Sequence, residues 1–205
     1  MIESRFGQGI RTAIAASVLA MAGIGEVLAA APDAIVRDTT NEVLKTIASS
    51  PDAQKLRALA DEKIVPHFDF RRMTQLAAGR VWKLATPQQQ DQLAAEFQQL
   101  LVRTYTQALA ASNQSGVKVA VRSAVPAAGG DETTVRTTVS KPGGQPIGID
   151  YRMMNENGDW KVIDVVVENV SLVTNYRDWF ASQAASGGID SIIHQLQVKN
   201  QRTAA

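Results

Sequence analysis

The segment 147–180, IGIDYRMMNENGDWKVIDVVVENVSLVTNYRDWF, constrains the fold more than any other part of the chain. Asn157-Gly158 predicts the turn, because both residues tolerate positive φ. The strand entering it alternates, with Ile147, Ile149, Tyr151 and Met153 on one side and Asp150 and Arg152 on the other. The strand leaving it carries Ile163, Val165 and Val167 on one side, Asp164 and Glu168 on the other. A register pairing odd with odd positions gathers both apolar sets on one face, and a one-residue slip destroys that. It also brings Arg152 and Asp164 onto the same opposite face, where Asp150 and Asp164 alternating with Arg152 read as a structural ion pair. After Asn169 the apolar positions become Leu172, Val173, Tyr176, Trp179 and Phe180, a helical spacing. An apolar sheet face thus feeds directly into an aromatic-rich helix.

The same parity extends upstream. Four strands are expected, over 117–125, 133–141, 147–154 and 160–168, separated by Gly129-Gly130, Gly143-Gly144 and Asn157-Gly158. Short turns imply consecutive antiparallel hairpins. Val117, Val119, Val121, Val125, Val135 and Val139 are all odd, while Lys118, Arg122 and Arg136 are even. One face is nearly all aliphatic and the other carries the charges, with Trp160, Val162 and Val166 as exceptions on the charged face.

The half before the strands reads as helical. Helices are expected over 33–49, over 51–64 up to Pro66, and from Phe68 to a stop at Gly79, with Val81 and Trp82 on the turn beyond it. Thr86-Pro87-Gln88-Gln89 is a sharp start, with Thr86 and Gln89 as a capping box and Pro87 in the first position. The helix that follows carries Leu93, Phe97, Leu100, Leu101, Tyr105 and Leu109 as one apolar stripe. The chain closes with a helix over 172–185, a Gly187-Gly188 break and a last helix bearing Ile189, Ile192, Ile193 and Leu196. The class is α+β: N-terminal helices, a four-stranded antiparallel meander and C-terminal helices packed over the sheet.

Residues 1–29 stand apart. Arg5 and Arg11 precede an uncharged run of small and apolar residues that lasts to Glu26, and Val27 and Ala29 fit a signal peptidase site. This is a secretory signal pattern. The run is too short for comfortable spanning, which takes about 20 residues. One domain over 30–205 is expected, soluble and exported.

Little of the composition suggests chemistry. At 205 residues and net charge +1 the chain has no basic block that nucleic acid would require. It has no cysteine. Its two histidines, His67 and His194, lack metal-ligand spacing, and the Gly pairs join strands rather than opening a phosphate-binding helix. No catalytic residue, metal or cofactor is expected, and the chain reads as a non-enzyme.

Several stretches together resemble the MlaC, or toluene-tolerance, family: 65–70 (VPHFDF), Gly79 with Trp82, 85–89 (ATPQQ), 101–105 (LVRTY), 160–165 (WKVIDV), and 168–173 (ENVSLV) with Tyr176-Arg177. They occur in order across nearly all of the chain beyond residue 29. Val81 departs from the pattern, which has an aromatic there, and Asn169 stands where Gly is usual.

The resemblance implies a periplasmic phospholipid carrier working between an outer-membrane lipoprotein complex and the MCE-domain subunit of an inner-membrane ABC transporter. Acyl chains then occupy an apolar cleft between sheet and helices. The candidate lining is Phe70, Met73, Val81 and Trp82; Phe97, Leu101 and Tyr105; Val121, Val135, Val139, Ile149, Tyr151, Met153, Ile163, Val165 and Val167; and Leu172, Tyr176 and Phe180. Two other classes compete: a small NTF2-like enzyme with Asp150 or Asp164 in an apolar pocket, and a periplasmic chaperone or adaptor.

Overall fold

Asn157 and Gly158 take φ of 56° and 93°, and Glu156 pairs with Asp159 across them. Asn155 Oδ1 accepts the Gly158 N–H at 2.7 Å. The expected turn therefore forms from local chemistry alone. This hairpin belongs to a computed structural model that describes residues 30–49, 52–111, 116–126 and 130–202. Residues 1–29, expected as a signal segment, lie outside the described residues, as does Gly129.

Six strands make one antiparallel sheet: β1 (Lys118–Val121), β2 (Val125–Pro126), β3 (Glu132–Ser140), β4 (Ile147–Glu156), β5 (Asp159–Val167) and β6 (Val170–Ser171). The order is β1-β3-β4-β5-β6, and β2 pairs with β3 along the edge that β1 occupies. The expected meander is therefore correct in its four main strands. Its first strand is broken in two, with Arg122 N still donating to Arg136 O at 2.9 Å. Pro126, which has no N–H to give, sits on that outer edge, where a ladder tolerates it.

The sixth strand went unread in the sequence. Glu168 and Asn169 both adopt positive φ, 47° and 66°, so Val170 folds back onto Val167 before the last helix begins. Asn accepts that conformation more readily than most residues, which explains how Asn169 stands in for Gly. The Glu168 carboxylate accepts the Gly148 N–H, tying the turn to β4.

Parity marks the apolar face only in part. Val119, Val139 and Ile147 align across β1, β3 and β4, and Val135, Tyr151 and Val165 align across β3, β4 and β5. Between Arg152 and Met153 the register shifts: Arg152 faces Asp164, but Met153 faces Val162. Ile163 is the extra residue of this bulge. Beyond it the parity inverts. Val162 and Trp160 pack with Met153, while Ile163 is buried outside that group. The assignment of Ile163 to the odd apolar face, and of Trp160 and Val162 to the charged face, is thus corrected by one bulged residue.

The helices are α1 (Pro32–Ser49), α2 (Ala53–Leu59), α3 (Phe70–Ala78), α4 (Pro87–Ala111) and α5 (Leu172–Arg202). α2 runs on through a π-helical stretch, Ala60–Ile64, into a 3-10 turn, Val65–His67. A second 3-10 turn, Gly79–Leu84, joins α3 to α4. The capping box at α4 is reciprocal: Thr86 N donates to Gln89 Oε1 at 3.0 Å and Gln89 N to Thr86 Oγ1 at 3.2 Å. α5 breaks at Gly187 and Gly188, as expected, where the backbone leaves helical values.

Two apolar cores result. Phe70, Met73, Trp82, Leu93, Phe97, Leu101, Val173, Phe180, Ile192 and Leu196 form a helical core shared by α3, α4 and α5. Ile35 and Val36 of α1 cover Val135, Met153 and Val162 on the sheet to form a second. Phe68 touches both. The helical layer is tied to the edge of β5, where Asp69 N donates to Val162 O at 3.0 Å and Lys161 Nζ to Pro66 O at 2.7 Å.

Candidate functional site: the open end of the apolar sheet face

The candidate lining residues fall into three environments. Phe70, Met73, Trp82, Phe97, Leu101 and Phe180 are closed inside the helical core, with Val81, Leu172 and Tyr176 half-buried against it. Phe97 meets Tyr176 and Phe180 edge-on, at centroid distances of 4.9 and 5.4 Å. These side chains touch protein in the conformation described. Tyr105 lies at the end of the same stripe and is about half exposed.

On the sheet, Val135 and Met153 are fully covered, with Val121, Tyr151 and Val165 half-buried beside them. Ile163 is buried in the bulge, outside both cores. The sheet face is less purely aliphatic than its odd positions suggested. Thr133 and Thr137 are also buried there, and Thr137 Oγ1 donates to Ile149 O at 2.8 Å.

The remaining three, Val139, Ile149 and Val167, belong to neither core. Directly paired residues share a face. Val119–Val139–Ile147 is one row across three strands, and Ile149–Val167–Val170 is a second. Val119, Val139 and Ile149 are half-buried, while Ile147, Val167 and Val170 are 41%, 38% and 60% exposed. Six aliphatic side chains thus form a contiguous strip open to solvent. Val119, Ile147 and Val170 were not among the candidate lining residues. Parity already marked the first two, whereas Val170 depends on the unread β6.

The charged face is structural. Asp164 is buried, accepts Ser171 Oγ at 2.7 Å and Val173 N at 3.2 Å, and lies 3.7 Å from Arg152. Ser171 Oγ in turn accepts Thr174 N at 3.0 Å, so the pair caps α5. Asp150 pairs with Arg136 at 3.7 Å. Both carboxylates that an NTF2-like mechanism would need are therefore engaged elsewhere.

The three tyrosines are the chain's only ones, and all have phenol pKa values above the ordinary range. Burial is the cause at Tyr151 and Tyr176, and burial followed by the neighbouring Tyr176 at Tyr105. Among the described residues no three His, Cys, Asp or Glu gather as a metal site, and no helix is long and apolar enough to cross a membrane.

The fold is α+β, and its sheet carries exposed aliphatic side chains at Ile147, Val167 and Val170. The family model for MlaC protein matches residues 37–198, and the chain belongs to that family. It is 25% identical over 170 residues to toluene tolerance protein ttg2D of Pseudomonas putida, covering 80% of this chain and 78% of that one. It is 24% identical over 149 residues to the intermembrane phospholipid transport system binding protein MlaC of Haemophilus influenzae, covering 71% and 69%. The structure of a phospholipid-binding protein from Ralstonia solanacearum, solved in complex with a phospholipid, superposes with a TM-score of 0.76 at 37% identity. That match covers 86% of this chain and all of the other.

Proposed function

We propose that this chain is an exported phospholipid carrier. In this reading residues 1–29 are removed and residues 30–205 form a single soluble lipid-binding domain in the periplasm. It takes lipid between an outer-membrane lipoprotein complex and the MCE-domain subunit of an inner-membrane ABC transporter. The observation that carries the reading is the open aliphatic strip, in a fold shared with a protein solved with phospholipid bound.

The physics requires such a surface. Each CH₂ transferred from a membrane to water costs about 0.8 kcal/mol, so a lipid with two acyl chains does not cross an aqueous gap unaided. A carrier must offer apolar wall, and branched aliphatics grip chains without fixing their length. The tails lie along the strip and against the half-buried residues that border it, Tyr151 and Val165, and the cores part where the cargo needs more room. Neither base, metal nor nucleophile takes part, so no catalytic step is assigned.

Organic extraction of the purified protein tests this. The expected result is phospholipid at close to one or a few molecules per chain. Protein that binds well-folded clients but yields no phospholipid would favour the chaperone or adaptor reading instead.

A further inference from the structure

A second surface feature owes nothing to the apolar strip. α3 stops at Gly79, whose φ of 57° turns the chain into the 3-10 segment Gly79–Leu84. Trp82 anchors that segment. Its ring is buried, the Arg71 guanidinium lies 5.2 Å from the ring centroid, and its carbonyl accepts Gln90 Nε2 at 3.0 Å. The turn is held from within by Trp82 and the half-buried Val81, while Arg80, Lys83 and Leu84 project.

Those projections are cationic and apolar together. Arg80 and Lys83 are exposed, and with Arg72 of α3 and Arg177 of α5 they rim a groove of about 390 Å³. No carboxylate lines it. Among the described residues none of the four cations is in an ion pair. Arg72 reaches only Gln75 Oε1, Arg177 only the Leu76 carbonyl, and Arg72 Nε is buried without a partner. Leu84, directly after Lys83, is 77% exposed, more than any other large apolar residue described.

Four unbalanced cations repel one another unless an anion answers them, and a lone protruding Leu gains nothing from water. One environment rewards both at once: a headgroup layer that presents phosphates above an acyl boundary. An acidic protein surface would satisfy the cations and leave Leu84 unexplained. We infer that the Gly79–Leu84 turn docks the protein on anionic phospholipid bilayers. Arg72, Arg80, Lys83 and Arg177 meet the headgroup phosphates, and Leu84 dips into the interface. The inference stands apart from the carrier reading, since vesicle binding is measured whatever cargo the protein holds.

Co-sedimentation with vesicles tests it, using phosphatidylcholine alone or mixed with phosphatidylglycerol, at low and high salt. The purified chain should bind the mixed vesicles only, and high salt should release it. Arg80→Glu with Lys83→Glu should weaken that binding by at least about tenfold. Leu84→Asp should weaken it several-fold while its salt dependence persists. Arg136→Glu, a control on the sheet, should bind like the parent protein. The turn variants should keep the parent melting temperature, because each altered side chain is exposed, while Arg136→Glu, which faces Asp150 across the strands, should lower it slightly.

Failure of the parent to bind mixed vesicles would overturn the inference. So would equal binding to neutral vesicles, an equal loss in the Arg136→Glu control, or normal binding by the turn variants. Displacement by soluble polyglutamate with no effect of Leu84→Asp would identify an acidic protein as the partner instead. Extracted phospholipid, measured on the same samples, separates the two readings: a chain that binds vesicles without carrying lipid refutes only the carrier.

Discussion

Asp164 shows how much one side chain can hold. It is buried in the sheet, yet its two oxygens serve the start of α5, and Arg152 balances its charge. Removing it strips the acceptor from Ser171 and Val173 and leaves Arg152 without its buried partner. Asp164→Ala should therefore destabilise the protein by about 1.5–3 kcal/mol, the range for hydrogen bonds to a charged group. Urea unfolding of the two proteins measures this. The pairing of Arg152 with Asp164 was legible in the sequence, because alternation over a short hairpin leaves few registers. The capping role was not, because it depends on where the chain goes after Asn169. The two left-handed residues there, Glu168 and Asn169, are a tertiary outcome that composition does not announce.

Among the elements, α4 and α5 carry most of the helical core, and the end of α5 is tied to the middle of α4 by a polar lock. Asn200 is buried. Its amide donates to Glu96 O at 3.0 Å and to Glu96 Oε2 at 2.7 Å, while Arg103 donates to the Asn200 carbonyl. Asn200→Ala should cost about 1–2 kcal/mol and loosen the last turns of α5 first. Hydrogen exchange resolved along α5 checks the location, with faster exchange after Ile193 than before Gly187. Of these elements, the capped start of α4, the stop at Gly79 and the Gly187-Gly188 break were legible, since each is fixed by residues within one turn of it. The bulge at Ile163 was not. Pairing Glu156 with Asp159 sets odd against even positions, so an odd-with-odd face needs one extra residue, but where it falls is decided by what packs on both faces. The partition into two cores was equally hidden: an apolar stripe such as Leu93–Phe97–Leu101 shows which side of a helix is buried, not which neighbour buries it. Nothing in the sequence places Arg177 beside the cations of the Gly79–Leu84 turn, because only the packing of α5 does so.

Across the whole molecule, the three tyrosines report the apolar interior. Each has a raised pKa from burial, so unfolded phenols release protons before folded ones do. The folded state then binds the extra protons, and stability falls as pH rises above the ordinary phenol value of about 10. Below that pH the tyrosines contribute no slope. A spectrophotometric titration should show no native tyrosine ionising at or below the free value, with the unfolded chain titrating near it. A native phenolate at lower pH would mean that one of these rings is not desolvated.

The central claim is that the aliphatic strip on the sheet holds acyl chains, and one substitution probes it with a matched control. Ile149 is half-buried and belongs to neither core, whereas Val135 is fully covered. The measurement is phospholipid per chain in Ile149→Trp, read with the melting temperature of the same sample. The new ring should lie in the strip, displacing most of the bound phospholipid while the melting temperature moves by no more than about 2–4 °C. Val135→Trp, overpacking a closed core, should instead lose about 1–3 kcal/mol of stability. An Ile149→Trp protein that keeps its full phospholipid with an unchanged melting temperature would contradict the account.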